Sequence, residues 1–212
     1  MATRSVLPYQ RILSEAVAEL RAEGVEGLSE VVGEGVEGEQ QAAESQEEIL
    51  YVSDCQVDTD VSAMLPNSYV SQPAEKLRLY RRLDGITDEA EMERLVAELE
   101  DRFGRMPKEA RALVDVVRLR WRAMGLGIEK AKVKNGLMLL WFPSDGRSPY
   151  YKSYTFGAIL RYVSRNPAKF VLKQNNNKVY LTVRNVEDLG AACDTLDAVK
   201  AAIVSEKSTS AE

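Results

Sequence analysis

Apolar side chains at Tyr9, Ile12, Leu13, Ala16, Val17 and Leu20 recur at spacings of three and four, which predicts an amphipathic helix near the N-terminus. Residues 23–48 abandon that pattern: Gly24, Gly27, Gly33, Gly35 and Gly38 stand among repeated acids with almost no large apolar side chain. Such a stretch cannot bury enough surface to offset its ordering entropy, so a flexible acidic linker is expected there. A helix in residues 1–22 stranded ahead of a linker is expected to close a preceding domain, which makes the chain a fragment of a longer protein.

Order is expected to resume at Ile49 to Leu65, where Tyr51, Val57, Val61 and Leu65 hold strand-like positions before Pro66 ends the run. Three helices follow. Pro73 suits the first turn of one, with Leu77, Tyr80 and Leu83 on its buried face. Thr87 is placed to cap the next, with Asp88 and Glu89 near its positive dipole end, a stripe of Met92, Leu95, Val96, Leu99 and Phe103, and Gly104 to end it. The third starts near Pro107 and aligns Ala110, Leu113, Val114, Val117, Trp121 and Met124 before Gly125. These stripes are core faces first and binding surfaces second.

The period then changes. Lys130, Lys132 and Lys134 alternate with Ala131 and Val133, and Asn135-Gly136 supplies a type I′ turn into Leu137 to Phe142, the pattern of a β-hairpin. Phe156, Ile159, Leu160 and Val163 mark a helix. Phe170 to Gln174 and Lys178 to Val183 flank Asn175-Asn176-Asn177 as a second hairpin, and Leu189, Ala192, Cys193, Leu196, Val199 and Ile203 give a closing helix. The expected fold class is α+β: a three-helix N-terminal part followed by two hairpin–helix units, forming a mainly antiparallel sheet covered by helices. One domain over 49–204 and a disordered tail over 205–212 complete the expected organisation.

The 212 residues, 45% hydrophobic, allow one sizeable core. No run approaches the roughly 18 uncharged apolar residues of a membrane span, and the N-terminus lacks the apolar stretch of a signal peptide, so a cytoplasmic protein without a membrane partner is expected. Cys55 and Cys193 stand far apart without cysteine or histidine neighbours, which offers neither a metal-ligand spacing nor a disulfide framework. The absence of histidine removes the usual general base and every Ser-His or Cys-His pair. The net charge of -5 is uneven: residues 1–64 carry 3 basic and 14 acidic groups, the remainder 25 and 19. The acidic part is repelled by nucleic acid, and the later excess is too diffuse to define a patch.

The chain contains no G-x-x-x-x-G-K-[ST] loop that could cradle a nucleotide phosphate. Gly125-Leu126-Gly127 at a helix end reads as turn chemistry. Lys130, Lys132 and Lys134 could meet a phosphate backbone, but the solvated face of an edge strand is the preferred reading, because lysine there also blunts aggregation. Tyr150, Tyr151, Tyr154 and Lys152 are expected to pack or to line a loop rather than to stack bases. No catalytic residue, cofactor or metal is expected.

Four ordered blocks carry a resemblance: Val61-Ser62-Ala63-Met64-Leu65-Pro66-Asn67-Ser68-Tyr69-Val70, Lys76-Leu77-Arg78-Leu79-Tyr80-Arg81-Arg82-Leu83, Glu98-Leu99-Glu100-Asp101-Arg102-Phe103-Gly104-Arg105-Met106-Pro107, and Arg118-Leu119-Arg120 with Gly125-Leu126-Gly127-Ile128. Over roughly residues 50–140 they resemble the C-terminal domain of bacterial transcription-repair coupling factors. The resemblance implies a parent protein that is an ATP-dependent DNA translocase, removes stalled RNA polymerase and recruits the excision-repair protein UvrA. It implies for this domain a regulatory, autoinhibitory role: docking on the UvrB-like N-terminal domain of the same protein, masking the UvrA surface, with no direct DNA binding. It also implies that acids of the Glu-Leu-x-Asp-Arg-Phe-Gly block pair with arginines of the UvrB-like domain, which assigns Glu98 and Asp101 as interdomain contacts. At about 100° per residue these two lie roughly 60° apart, on the side away from the Met92 to Phe103 stripe, so both are expected to be free for a partner. A nucleic-acid-binding accessory module is the alternative function.

Overall fold

The structure, a computed structural model, describes residues 51–175 and 178–209. The expected helix of residues 1–22 and the acidic stretch 23–48 lie outside the described residues. Strand β1 (Gln56–Thr59) precedes three helices, α1 (Pro73–Gly85), α2 (Glu89–Phe103) and α3 (Lys108–Gly125). Strands β2 (Lys130–Lys134) and β3 (Leu137–Trp141) form the first hairpin, followed by a 3-10 turn over Pro149–Lys152 and helix α4 (Tyr154–Arg165). Strands β4 (Phe170–Asn175) and β5 (Lys178–Arg184) form the second, and α5 (Leu189–Thr209) closes the fold. The α+β class and both hairpin–helix units are as the sequence predicts.

The five strands form one sheet in the order β1-β2-β3-β5-β4. β1 runs parallel to β2 and every other pairing is antiparallel. The first hairpin turns through Asn135 (φ 54°) and Gly136 (φ 73°), the two positive φ values that a type I′ turn demands. Because β1 lies outside β2, the lysine strand is interior to the sheet, which corrects the edge-strand expectation. Alternation along the strands sends Val57, Ala131, Val133, Met138, Leu140, Leu181 and Val183 into the core. The helices cover that side of the sheet alone.

Helix α3 is the centre of the packing. Its expected stripe is buried at Ala110, Leu113, Val114 and Val117, while Trp121 and Met124 are half-buried. Ala112, Val116, Leu119 and Ala123, spaced by four, three and four on the opposite side, are buried as well. The helix therefore has two apolar faces and packs against β1, β2, α1 and α5. Its C-terminus closes as a Schellman motif: the Ile128 amide donates to Ala123 O at 3.0 Å and the Gly127 amide to Met124 O at 2.9 Å, with Gly127 at φ 73°.

The Tyr150 ring occupies the space beside Gly127, so that a Cβ built there would lie 2.1 Å from the ring. Tyr150 is fully buried, contacts the rings of Tyr51, Phe142, Tyr151 and Phe156, and donates its hydroxyl proton to Leu126 O at 2.5 Å. It is thus a core residue sealing the end of α3. Tyr151 is half-buried and Tyr154 exposed, so the three tyrosines form no stacking platform.

Other expectations need correction. On α1 the buried residue beside Tyr80 and Leu83 is Leu79, with Leu77 half-buried. The cap of α2 is Asp88, whose carboxylate accepts from the Glu91 amide at 2.9 Å, so Thr87 lies one residue too early. The closing helix continues through Thr209, in place of a tail disordered from 205, and Glu206 pairs with Arg161 and Arg165 at 3.0 and 2.7 Å.

Gly127→Ala is expected to cost roughly 2–5 kcal/mol, because a left-handed φ and an overpacked ring contact add. Gly125→Ala, whose new methyl would meet nothing within 4 Å, should be neutral or mildly stabilising. Denaturant unfolding of the two variants side by side checks this; equal stabilities would remove Tyr150 from its assigned place.

Candidate interdomain contact surface

Helix α2 carries both acids that the sequence singles out, and α1 packs beside one of them. Met92, Leu95 and Leu99 bury one side of α2, and Phe103 is half-buried against the Tyr69 ring. Tyr69 also shares its one hydroxyl proton between Leu99 O and Gly104 O, each at 3.1 Å, where Gly104 leaves the helix at φ 79°. One phenol thereby holds the C-terminal turn of α2, and with it the direction of Asp101. Nothing in the sequence pattern marks Tyr69 for this role, since its partners are backbone carbonyls 30 and 35 residues away.

The structure separates Glu98 from Asp101. Glu98 faces α1: its carboxylate lies 2.5 Å from Arg82 Nη1 and 3.6 Å from Arg102 Nη1. Arg102 in turn meets Glu75 at 2.8 Å, and Glu75 meets Arg78 at 3.7 Å. The hydrogen bond from Arg82 holds the Glu98 carboxyl below the ordinary carboxylate range, with the charges of Arg82 and Arg102 acting in the same direction. Glu98 is consequently not free, contrary to the expectation from helical geometry. On the wheel it sits only about 120° from the centre of the apolar stripe, on the shoulder that faces α1, whereas Asp101 sits near 180°.

Asp101 is exposed and makes no hydrogen bond or ion pair among the described residues. It shares its stripe of α2 with exposed Ala90, Arg94 and Ala97, and Arg94 donates to Ala90 O at 3.1 Å. The surface is therefore a flat helix face with a lone carboxylate at its C-terminal end and a braced carboxylate beside it. That arrangement can receive a guanidinium; it holds no nucleophile paired with a base.

Reactive groups elsewhere are suppressed. Burial pushes the thiols of Cys55 and Cys193 up to about 12, so both stay protonated at neutral pH. No group of three or more histidine, cysteine, aspartate or glutamate residues that could hold a metal occurs among the described residues. No helix among them is long and apolar enough to cross a membrane.

Residues 59–153 match the family model of the TRCF domain. The chain carries a TRCF domain. The match contains α1, α2 and α3, hence Glu75, Arg82, Glu98 and Asp101. Curated relatives agree: the transcription-repair-coupling factor of Rickettsia prowazekii (strain Madrid E) is 31% identical over 125 residues, covering 59% of this chain and 10% of that protein. That of Escherichia coli (strain K12) is 37% identical over 75 residues, covering 35% of this chain and 6% of that protein. The TRCF domain and its flanks thus span about a tenth of the length of the first of these. A crystal structure of the C-terminal domain of transcription-repair coupling factor has the same fold, with a TM-score of 0.58 at 17% identity, covering 73% of this chain and 98% of that one. The fold likeness reaches further along the chain than the family match.

The lowered Glu98 value carries a pH dependence with a defined sign. Its contribution to stability is present above the ordinary value of 4.5 and is lost as the pH falls through the lower folded-state value. With the side chain 38% exposed, the screened contribution stays within ~1 kcal/mol. Glu98→Gln is expected to melt slightly lower than the unmodified chain at neutral pH, with the gap closing in acid. A gap unchanged across that range, measured by thermal unfolding at a series of pH values, would show that the Arg82 pair is not its source.

Proposed function

We propose that this chain is the non-catalytic regulatory domain at the C-terminus of a transcription-repair coupling factor, and that it docks on the UvrB-like domain of the same protein to mask the UvrA-binding surface. The parent protein is then an ATP-dependent DNA translocase that displaces stalled RNA polymerase, with its motor outside this chain. The observation that carries the reading is the unpaired Asp101 carboxylate on an exposed helix face of the TRCF domain. An exposed carboxylate without an internal partner keeps its full charge for an arginine across an interface, where a bidentate pair is shielded from water.

Masking is an equilibrium between docked and undocked states, and its strength is the difference in contact energy between them. Asp101 is available to contribute to that difference directly. Glu98 contributes through an already neutralised network, so it positions Arg82 and Arg102 at the rim and adds less attraction of its own. The two acids named from the sequence therefore have different roles under this reading.

Asp101→Lys replaces attraction by repulsion and is expected to weaken docking about tenfold while leaving the melting temperature nearly unchanged. Glu98→Lys places a cation against Arg82 and Arg102, so it should lower stability as well as docking. Binding of the full chain and both variants to the UvrB-like domain of the same organism's protein, followed by calorimetry, tests this. Undiminished docking by folded Asp101→Lys would reduce Asp101 to solvated surface.

A further inference from the structure

The side of the sheet away from the helices carries half-buried and exposed residues over β2 to β5 and is closed only at the β1 edge, where Asp58 Oδ1 is enclosed. The strand register sets one row across it: Lys130, Trp141, Tyr180 and Lys173, on four neighbouring strands. The Trp141 and Tyr180 rings stack with centroids 6.0 Å apart at 26°, and the Lys130 ammonium lies 5.8 Å from the Trp141 centroid. Lys132, Lys134, Lys178 and Arg184 project from the same face, where Asp58 is the acid of β1. Lys132 is held by Asp58 at 3.3 Å, and the other cations enter no ion pair among the described residues.

This array differs from what the sequence suggests. A lysine row on an edge strand is a guard against aggregation, but β2 is inside the sheet and its lysines lead directly to an aromatic pair on the next two strands, β3 and β5. Positive charge alone would suit any polyanion, including the glutamate-rich residues 23–48 of this chain. The rings decide between them. Residues 23–48 contain no aromatic and no arginine to lie flat on Trp141 or Tyr180. A single-stranded nucleic acid offers both complements: phosphates for the cations and unpaired planar bases for the rings, which a duplex keeps in its own stack.

We infer that the open sheet face binds single-stranded nucleic acid without reading its sequence, with bases stacking on Trp141 and Tyr180 and the backbone following the β2 lysines. This face lies on the sheet and the docking carboxylate on α2, so either reading can fail without the other.

The test is fluorescence anisotropy of a labelled oligothymidine of about 15 nucleotides, titrated with the full chain at several salt concentrations. A duplex of equal length and unlabelled polyglutamate serve as competitors. The expected result is retention of the single strand over both competitors. Trp141→Leu with Tyr180→Leu, which keeps apolar cover on the sheet, should weaken binding about tenfold per ring with little change in the salt slope. Lys130→Gln and Lys134→Gln should each reduce that slope by about 0.7. Circular dichroism melts establish that each variant is folded, and the glutamine variants, altering only exposed ends, keep the test open if the ring variant is not. The inference is overturned if the oligothymidine does not bind, if duplex or polyglutamate competes equally, or if folded ring variants bind as the unmodified chain does.

Discussion

Helix α3 is buried on two opposite sides, and the same helix gathers the charged groups of the elements around it. Arg118 meets Glu89 of α2 at 2.5 Å, Arg120 meets Asp54 ahead of β1 at 2.6 Å and Asp84 of α1 at 2.8 Å, and Arg122 meets Asp197 of α5 at 2.9 Å. A helix enclosed in this way has little freedom to slide, because each side is fixed both by side-chain volume and by a directional guanidinium contact. Its end is fixed too: the left-handed Gly127 leaves no room for a side chain against Tyr150, which draws the 3-10 turn and the first hairpin onto the core. The two hairpin–helix units and the α1–α2 pair are therefore placed relative to one another by what they share with α3.

Two surfaces remain after that packing. On α2, Tyr69 holds the last turn and the arginines of α1 and α2 engage Glu98, leaving the Asp101 carboxylate directed outward beside exposed Arg94. On the sheet, the helices cover one face and leave a row of rings and lysines on the other. The first is a narrow helix face of mixed charge, where Asp101 and Arg94 are both exposed, and the second is a broader basic face.

Much of this is visible in the sequence where periodicity governs. Asn135-Gly136 specifies its turn, the alternation from Lys130 to Lys134 specifies which side of β2 is buried, and the Met92-Leu95-Leu99 spacing specifies the inner face of α2. The misses have physical causes. The second face of α3 is present in the sequence as Ala112, Val116, Leu119 and Ala123, but a single-stripe reading stops at the first match and treats small residues as filler. Asp88 displaces Thr87 as cap because either residue type serves, and only the backbone geometry chooses. The freedom of Glu98 depends on a neighbour 16 positions earlier on another helix, which local spacing cannot reveal. The parallel pairing of β1 with β2, which makes the lysine strand an inner strand of the sheet, is likewise a long-range choice.

The central claim is that α2 meets the UvrB-like domain through the face that ends in Asp101. Hydrogen exchange of the full chain, alone and with that domain, addresses it directly. Exchange along residues 94–105, in α2 and its following turn, is expected to slow on adding the domain, with strands β3 and β5 unaffected. Slowed exchange confined to the sheet or to α4 and α5, with α2 unchanged, would contradict it.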